Sequence, residues 1–316
     1  MSADAARIRE RVLRGIAGNR TAGFHFAGHF LGVQWPVVTP AGAAILLPDG
    51  PHVRDAQGSV DRSVLALLAD LVVGTAARLG VEAGARLATV HLHLQFTGAP
   101  AHGDIEAEAV PRGPAAGAGA SSWLGAGTLH AHGRPVCYAD GEFHHLRPPP
   151  GVTLAPLPWQ RDALEAAIAD EASLAQPERE VLQLADAALA RATPEAAFVE
   201  HFWGGERDSE PPAEAGRARR RLVVGPHIAN RVGHVQGGIT LGAAMATACD
   251  AAPSTMTLSS VSAWYLRPGQ GDALRVRAEV LHAGRTTAVV RTQVIGGGDI
   301  VALEAVTQHV ARAAGS

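Results

Sequence analysis

Two segments of the chain carry residues whose types and spacing could do chemistry. The first is "VLALLADLVVGTAA", residues 64–77, with Asp70 as its only charge. A helix apolar on all sides must be buried all round. A carboxylate inside it is costly unless it pairs or shifts its pKa. Such groups cluster at functional sites, so Asp70 reads as a general base or nucleophile. The bland alternative is a structural aspartate satisfied by a local amide or arginine.

The second segment is "NRVGHVQGGITLGAAMATACD", residues 230–250. Asn230, Gln236, Gly237 and Gly238 lead into an apolar helix. Unpaired amides at a helix start, aided by its dipole, can polarise a carbonyl or hold an oxyanion. The glycines would let a ligand approach the backbone. No carboxylate follows until Asp250, which reads as a helix-end residue. One segment thus offers an acid and the other offers amides.

The elements around them read as one unit used twice: a helix, then a meander of about four strands. The first copy has a helix within 58–80, then "TVHLHLQF" (89–96), "GDIEAEAV", "SSWLGAGTLHAHG" and "RPVCYADGEFHHL". The second has the helix from Gly237, then "LSSVSAWYLRPGQGD", and strands over 273–283, 286–295 and 300–310 with glycine-bearing turns. "FAGHFLG" (26–32) echoes "FVEHFWG" (198–204). A proline-rich break, "RPPPGVTLAPLPW" (147–159), divides the chain, and residues 160–196 read as a helical connector. The expected class is α+β, with domains over 1–150 and 151–316, the stretch 151–197 being the connector. "GERDSEPPAEAGRARRR" (205–221) reads as an exposed loop entering a strand. Its run Arg217 to Arg221 reads as a solvated edge, with phosphate binding as the alternative.

The 316 residues suffice for two domains. A net charge of −3 gives no ground for nucleic-acid or anionic-membrane binding. All 27 basic residues are arginine, which reads as codon bias. Cys137 and Cys249 lack metal-ligand spacing and suit a reducing cytoplasm. "FHFAGHF" and "FHH" match no metal template, so no metal is expected. The N-terminal twenty residues read as an amphipathic charged helix rather than a signal sequence, and no apolar run suggests a membrane span.

The loop N-x-x-G-x-x-(H/Q)-G-G opening a long apolar helix, then a meander with "YLRP" ending its first strand, resembles the hotdog-fold acyl-CoA thioesterases. More narrowly it resembles the phenylacetyl-CoA thioesterase-like group. The resemblance covers roughly 22–146 and 198–311. It implies two tandem hotdog domains, each an antiparallel sheet wrapped around a long central helix. It also implies active sites shared between units, with the acid fifteen positions after the loop Asn. On that pattern Asn230, Gln236 and Gly237 supply the loop, but Met245 stands where the acid belongs. In the first half Asp55 takes the Asn position and Asp70 the acid position, with Thr89 to orient water. Asp61 and Arg62 replace the His-Gly.

The losses are complementary. The resemblance therefore implies one working site, Asp70 and Thr89 with Asn230, Gln236 and Gly237, and one vestigial site around Asp55, Asp61 and Met245. Glutamine cannot act as a base, so catalysis would rest on Asp70 and the Gly237 amide. Gly238, Leu67 and Met245 would meet the acyl group, and Arg267 and Arg285 the CoA phosphates. No cofactor is implied beyond the coenzyme A of the substrate. The partner is an acyl-CoA, and two such chains could associate as a dimer of double hotdogs. The rivals are a non-catalytic acyl-CoA-binding scaffold and an enoyl-CoA hydratase on the same fold.

Overall fold

The structure is a computed structural model that describes residues 2–81, 85–115, 121–146, 155–160, 167–208 and 215–312. Its centre is a helix pair. Helix α3 (Arg62–Arg78) buries thirteen of its residues, Asp70 among them. Helix α6 (Gly237–Ala251) buries eleven. Each follows a side-chain cap. Asp61 accepts from the amide of Ser63 at 2.7 Å, and Gln236 from that of Ile239 at 3.1 Å. Such caps satisfy donors that a helix start leaves unpaired.

Among the described residues, twelve antiparallel strands form one sheet against this pair. The first half gives β1 (Gln34–Thr39), β2 (Gly42–Leu47), β3 (Arg86–Phe96), β4 (Ile105–Pro114), β5 (Ser122–Ala131) and β6 (Arg134–Leu146). The second gives β7 (Glu206–Arg207), β8 (Arg217–Val223), β9 (Met256–Tyr265), β10 (Ala273–Ala283), β11 (Thr287–Ile295) and β12 (Val301–Ala311). The spatial order is β1-β2-β4-β5-β6-β3-β9-β12-β11-β10-β8-β7. Read outward from the β3–β9 seam, the two halves mirror each other. At the seam His91 faces Trp264 and Gln95 faces Ser260. Alternation sets the faces: Ile105, Ala107 and Ala109 of β4 point to the core, and Glu106 and Glu108 point away.

The remaining helices also come in matched pairs: α1 (Ala3–Asn19) with α4 (Gln176–Arg191), and α2 (Phe26–Leu31) with α5 (Phe198–Trp203). Phe26, Phe30, Phe198, Phe202 and Trp203 pack ring on ring between the halves. Helices α1 and α4 are tied by Arg9 to Asp186 and by Arg20, at the end of α1, to Glu178, and Arg9 also pairs with Glu171 in the helical turn before α4.

Several sequence expectations change. The connector is not helix throughout 160–196. Its helix starts at Gln176, with Pro177 in the first turn and the Glu178 carboxylate accepting from the Ala175 amide. It is not a mere linker, since it packs on α1 and α5. Residues 161–166 and most of the proline-rich break lie outside the described residues. Strands β1 and β2 were not legible, because Pro36 and the run of alanines around Gly42 obscure any alternation. The echoing "FAGHFLG" and "FVEHFWG" segments are themselves short helices.

Candidate active site

The close crossing of α3 and α6 positions the site. A Cβ on Gly238 would fall 2.4 Å from the Leu67 Cα, and one on Gly242 would fall 2.4 Å from the Ser63 Cβ. Only glycine allows this approach, which brings the start of α6 against the middle of α3. Gly238 thus serves helix packing, a use different from the close ligand approach read from the sequence.

At that crossing the Asp70 carboxylate accepts three hydrogen bonds. Thr89 on β3 donates its hydroxyl to Oδ1 at 2.8 Å. Gln236 donates Nε2 to Oδ2 at 2.9 Å, across 166 residues of sequence. The Gly238 amide donates the third. Burial pushes the Asp70 pKa above the ordinary carboxylate range, and these three bonds oppose the rise without cancelling it. Asp70 is 8% exposed, while Thr89 and Gly237 are only half-buried, so the cluster reaches the surface on their side.

The amides of α6 are then accounted for. Ile239 donates to Gln236 and Gly238 to Asp70. Gly237, the first residue of the helix, has no acceptor within it. A Cβ on Gly237 would lie 3.3 Å from Asp70 Oδ2 and 3.7 Å from Thr89 Oγ1. An amide without an intrahelical partner and a carboxylate are thus side by side. The arrangement suits attack on a carbonyl, with an oxyanion met by N–H and a proton taken by a carboxylate.

Sequence reasoning missed Tyr265. Its hydroxyl donates to the Gly237 carbonyl at 3.1 Å, and its ring edge lies 3.2 Å from where a Gly237 Cβ would be. Burial, with the nearby Asp70 charge, pushes its pKa well above the ordinary phenol value. The "YLRP" string marked this residue, but nothing in sequence placed its hydroxyl on the helix start.

Other expected site residues lie elsewhere. Asn230 does not reach the carboxylate; its Oδ1 accepts from the amides of Val232 and His234, 3.0 and 3.1 Å away, shaping the loop. Asp55 does the same for Gln57 and Ser59 in the first half. Leu67 and Met245 are buried in the core. Arg267 is exposed, two residues beyond Tyr265, and donates to the Leu266 carbonyl. Arg285 is a correction. It precedes Thr286, whose carbonyl accepts from Ala311, and Ala311 pairs with Met256, at the far end of β9 from Tyr265. Nine residue steps along a strand are about 30 Å, so Arg285 sits at the opposite end of the sheet from Asp70.

Of the residues expected at a second, vestigial site, Asp61 is a helix cap whose carboxylate also accepts from the Ser63 hydroxyl, and Met245 is buried in the core. Burial pushes the Asp61 pKa up, opposed by the Ser63 hydroxyl and amide. Asp250 takes Arg207 and Arg220, which accounts for one arginine of the basic run. Cys137 is buried and Cys249 exposed, both free thiols. Among the described residues no group of histidines, cysteines and carboxylates could hold a metal, and no helix is long and apolar enough to cross a membrane.

Comparison with known proteins agrees with this architecture. Residues 226–310 match the family model described as the acyl-CoA thioesterase N-terminal domain. A tesB protein of Mycobacterium avium subsp. paratuberculosis has 11% identity and a TM-score of 0.55, covering 89% of this chain and 96% of its own. A Lactobacillus plantarum protein provisionally described as an oleoyl thioesterase has 11% identity and a TM-score of 0.52, covering 86% and 96%. An Alicyclobacillus acidocaldarius protein described as having a hot dog fold gives 11%, 0.52, 86% and 94%. A sequence comparison with curated proteins gives no match. Residues 226–310 are thus similar to an acyl-CoA thioesterase domain, and the chain as a whole shares the fold of these solved structures.

Proposed function

We propose that this chain is a tandem hotdog protein, with units over 1–150 and 151–316, that hydrolyses acyl-CoA thioesters at one composite site. The observation that carries the reading is the hydrogen bond from Gln236 to Asp70, which joins the helix start of one half to the carboxylate of the other. The substrate carbonyl points at the Gly237 amide. Water held by Asp70 and Thr89 attacks the carbonyl carbon, and Asp70 takes the proton. The oxyanion sits on the Gly237 N–H, then collapses, the C–S bond breaks, and the thiolate of coenzyme A leaves and takes up the proton. Gln236 holds Asp70 ionised and in place without exchanging protons. The acyl chain enters beside Thr89 and Gly237, where the cluster meets the surface. No cofactor enters the scheme.

The test is release of free thiol from short, medium, long and aryl acyl-CoAs, by wild type and by Asp70→Ala. Turnover by the wild type that is lost in the variant, with binding kept, supports the reading. Binding without release from any of them would favour an acyl-CoA-binding scaffold. Hydration of a 2-enoyl-CoA without thiol release would favour the hydratase.

A further inference from the structure

The peptide between Gly237 and Gly238 is held at both ends. Its N–H, that of Gly238, donates to the Asp70 carboxylate. Its carbonyl, that of Gly237, accepts from the Tyr265 hydroxyl at 3.1 Å. A trans peptide sets these two groups on opposite sides of one plane, so the plane joins the phenol to the acid. The helix uses one lone pair of such a carbonyl for its own ladder, and the phenol takes the second. Burial and the Asp70 charge keep the phenol protonated, and so a donor, throughout the range in which a carboxylate titrates.

The two-fold relation between the halves singles out this hydroxyl. His91 faces Trp264 and Gln95 faces Ser260, so the relation exchanges His91 with Ser260 and Gln95 with Trp264. One residue further it exchanges Phe96 with Tyr265, and each is the last residue of its strand. The bulges agree: Val90 is skipped in the β3–β6 ladder and Ser259 in the β9–β12 ladder. Tyr265 therefore has Phe96 as its counterpart, and Thr89 has Leu258. In the first half the Ser63 amide turns back onto Asp61, and the matching ring carries no hydroxyl. In the second half the Gly238 amide reaches a carboxylate, and the ring carries one.

We propose that Tyr265 is a positioning residue for Asp70, acting through the Gly237–Gly238 peptide. A carbonyl that accepts a hydrogen bond makes the N–H across its peptide a stronger donor. Here that N–H meets a charged acceptor, where added donor strength counts most. The phenol thus favours the ionised carboxylate without touching it or the substrate. Its ring also packs on the first residue of α6, 3.2 Å from where a Gly237 Cβ would be. Nothing stronger competes for Asp70. β3 presents Thr89 to it, α6 presents Gln236 and Gly238, and β9 presents Tyr265. The strands β2, β4, β5 and β6, also packed on α3, add no charge that shifts it among the described residues. The role in turnover rests on the hydrolysis proposed above; the coupling to Asp70 does not.

The experiment follows the carboxyl and the turnover separately in the full chain. Isotope-labelled aspartate carboxyls are titrated by NMR, the Asp70 signal being the one missing from Asp70→Asn. Thiol release from acyl-CoA gives kcat and KM against pH. Tyr265→Phe removes the hydroxyl and keeps the ring. It is expected to raise the Asp70 midpoint by roughly 0.3–0.7 pH units, part of the worth of one hydrogen bond. The acid limb of kcat/KM moves up with it, and KM above the limb is unchanged. Tyr138, the other tyrosine, is exposed. In a Tyr138→Phe background, fluorotyrosine with its fluorine beside the hydroxyl enters position 265 alone. Its more acidic phenol donates more strongly, so midpoint and limb move down. An Asp70 midpoint that stays put in Tyr265→Phe, or that moves the same way in both proteins, overturns the proposal. So does a lowered unfolding temperature with the midpoint unmoved, which would make Tyr265 structural only. The fluorinated protein keeps the native contact and decides the matter if Tyr265→Phe misfolds. A wild type that releases no thiol would refute hydrolysis, while the titration still decides on Tyr265.

Discussion

Asp61 and Gln236 occupy the same place in the two halves, each accepting an amide hydrogen bond in the first turn of a central helix, yet only Gln236 goes on to donate to a carboxylate. Asp61 has acceptors alone, and Met245, fifteen residues after Asn230, stands in the other half at the position that Asp70 holds in the first. Side-chain chemistry at one cap position therefore decides which half supplies a helix start tied to a carboxylate of the other.

Asp70→Ala is expected to lower kcat by about 10²–10⁴-fold, the usual worth of a positioned general base. Thiol release under saturating acyl-CoA measures it. Activity close to wild type would remove Asp70 from the chemistry.

Asp61→Ala is expected to leave kcat near wild type while costing about 1 kcal/mol of stability through the lost cap. Chemical denaturation and the thiol assay on the same preparation separate the two effects. Equal losses of activity from Asp61→Ala and Asp70→Ala would contradict a single working site.

Gln236→Ala should shift the pH profile. Asp70 must be ionised to accept a proton, and its pKa already lies above the ordinary range because of burial, with Gln236 among the groups opposing that rise. Removing the donor raises the pKa further, so the acid limb of kcat/KM moves to higher pH. A limb that stays put or moves down would mean that Gln236 does not hold the ionised form.

Gly238→Ala is expected to destabilise the fold by roughly 1–3 kcal/mol, the usual cost of overpacking. The added Cβ would lie 2.4 Å from the Leu67 Cα, and α3 and α6 must part to admit it. Parting them also separates Gln236 from Asp70, so turnover falls along with the unfolding midpoint.

Acid should unfold the chain through two matched histidines. His52 packs on Phe30 and His227 on Phe202, and burial lowers the pKa of each to about 4. An unfolded histidine protonates near ~6.5. Below that pH the unfolded chain binds protons that the folded chain refuses, so stability present above pH ~6.5 is lost as pH falls toward 4. Replacing both with Phe should flatten the decline in unfolding temperature over that window.

Much of the site was legible from residue type and spacing. A lone carboxylate in an all-apolar helix marked Asp70, and a glycine doublet after a polar loop marked the start of α6. The long strands were legible because one face is buried and the other solvated, which writes alternation into β4, β10 and β12. Other elements were not. In strands β1 and β2, Pro36 and the alanines beside Gly42 break the alternation, and Asn230 has a residue type equally suited to a ligand and to its own loop.

What the sequence alone determined is local: which helices are buried throughout, which strands alternate, and which half keeps an acid. Only the tertiary structure decided what those parts do to one another. The pairing of Gln236 with Asp70 spans 166 residues and depends on two helices crossing at glycine-contact distance. The placement of Arg285 at the far end of the sheet, and of Tyr265 on the Gly237 carbonyl, follows from strand direction and register. Hydrogen bonds and charges act over a few ångströms, and only the folded chain brings groups so distant in sequence within that range.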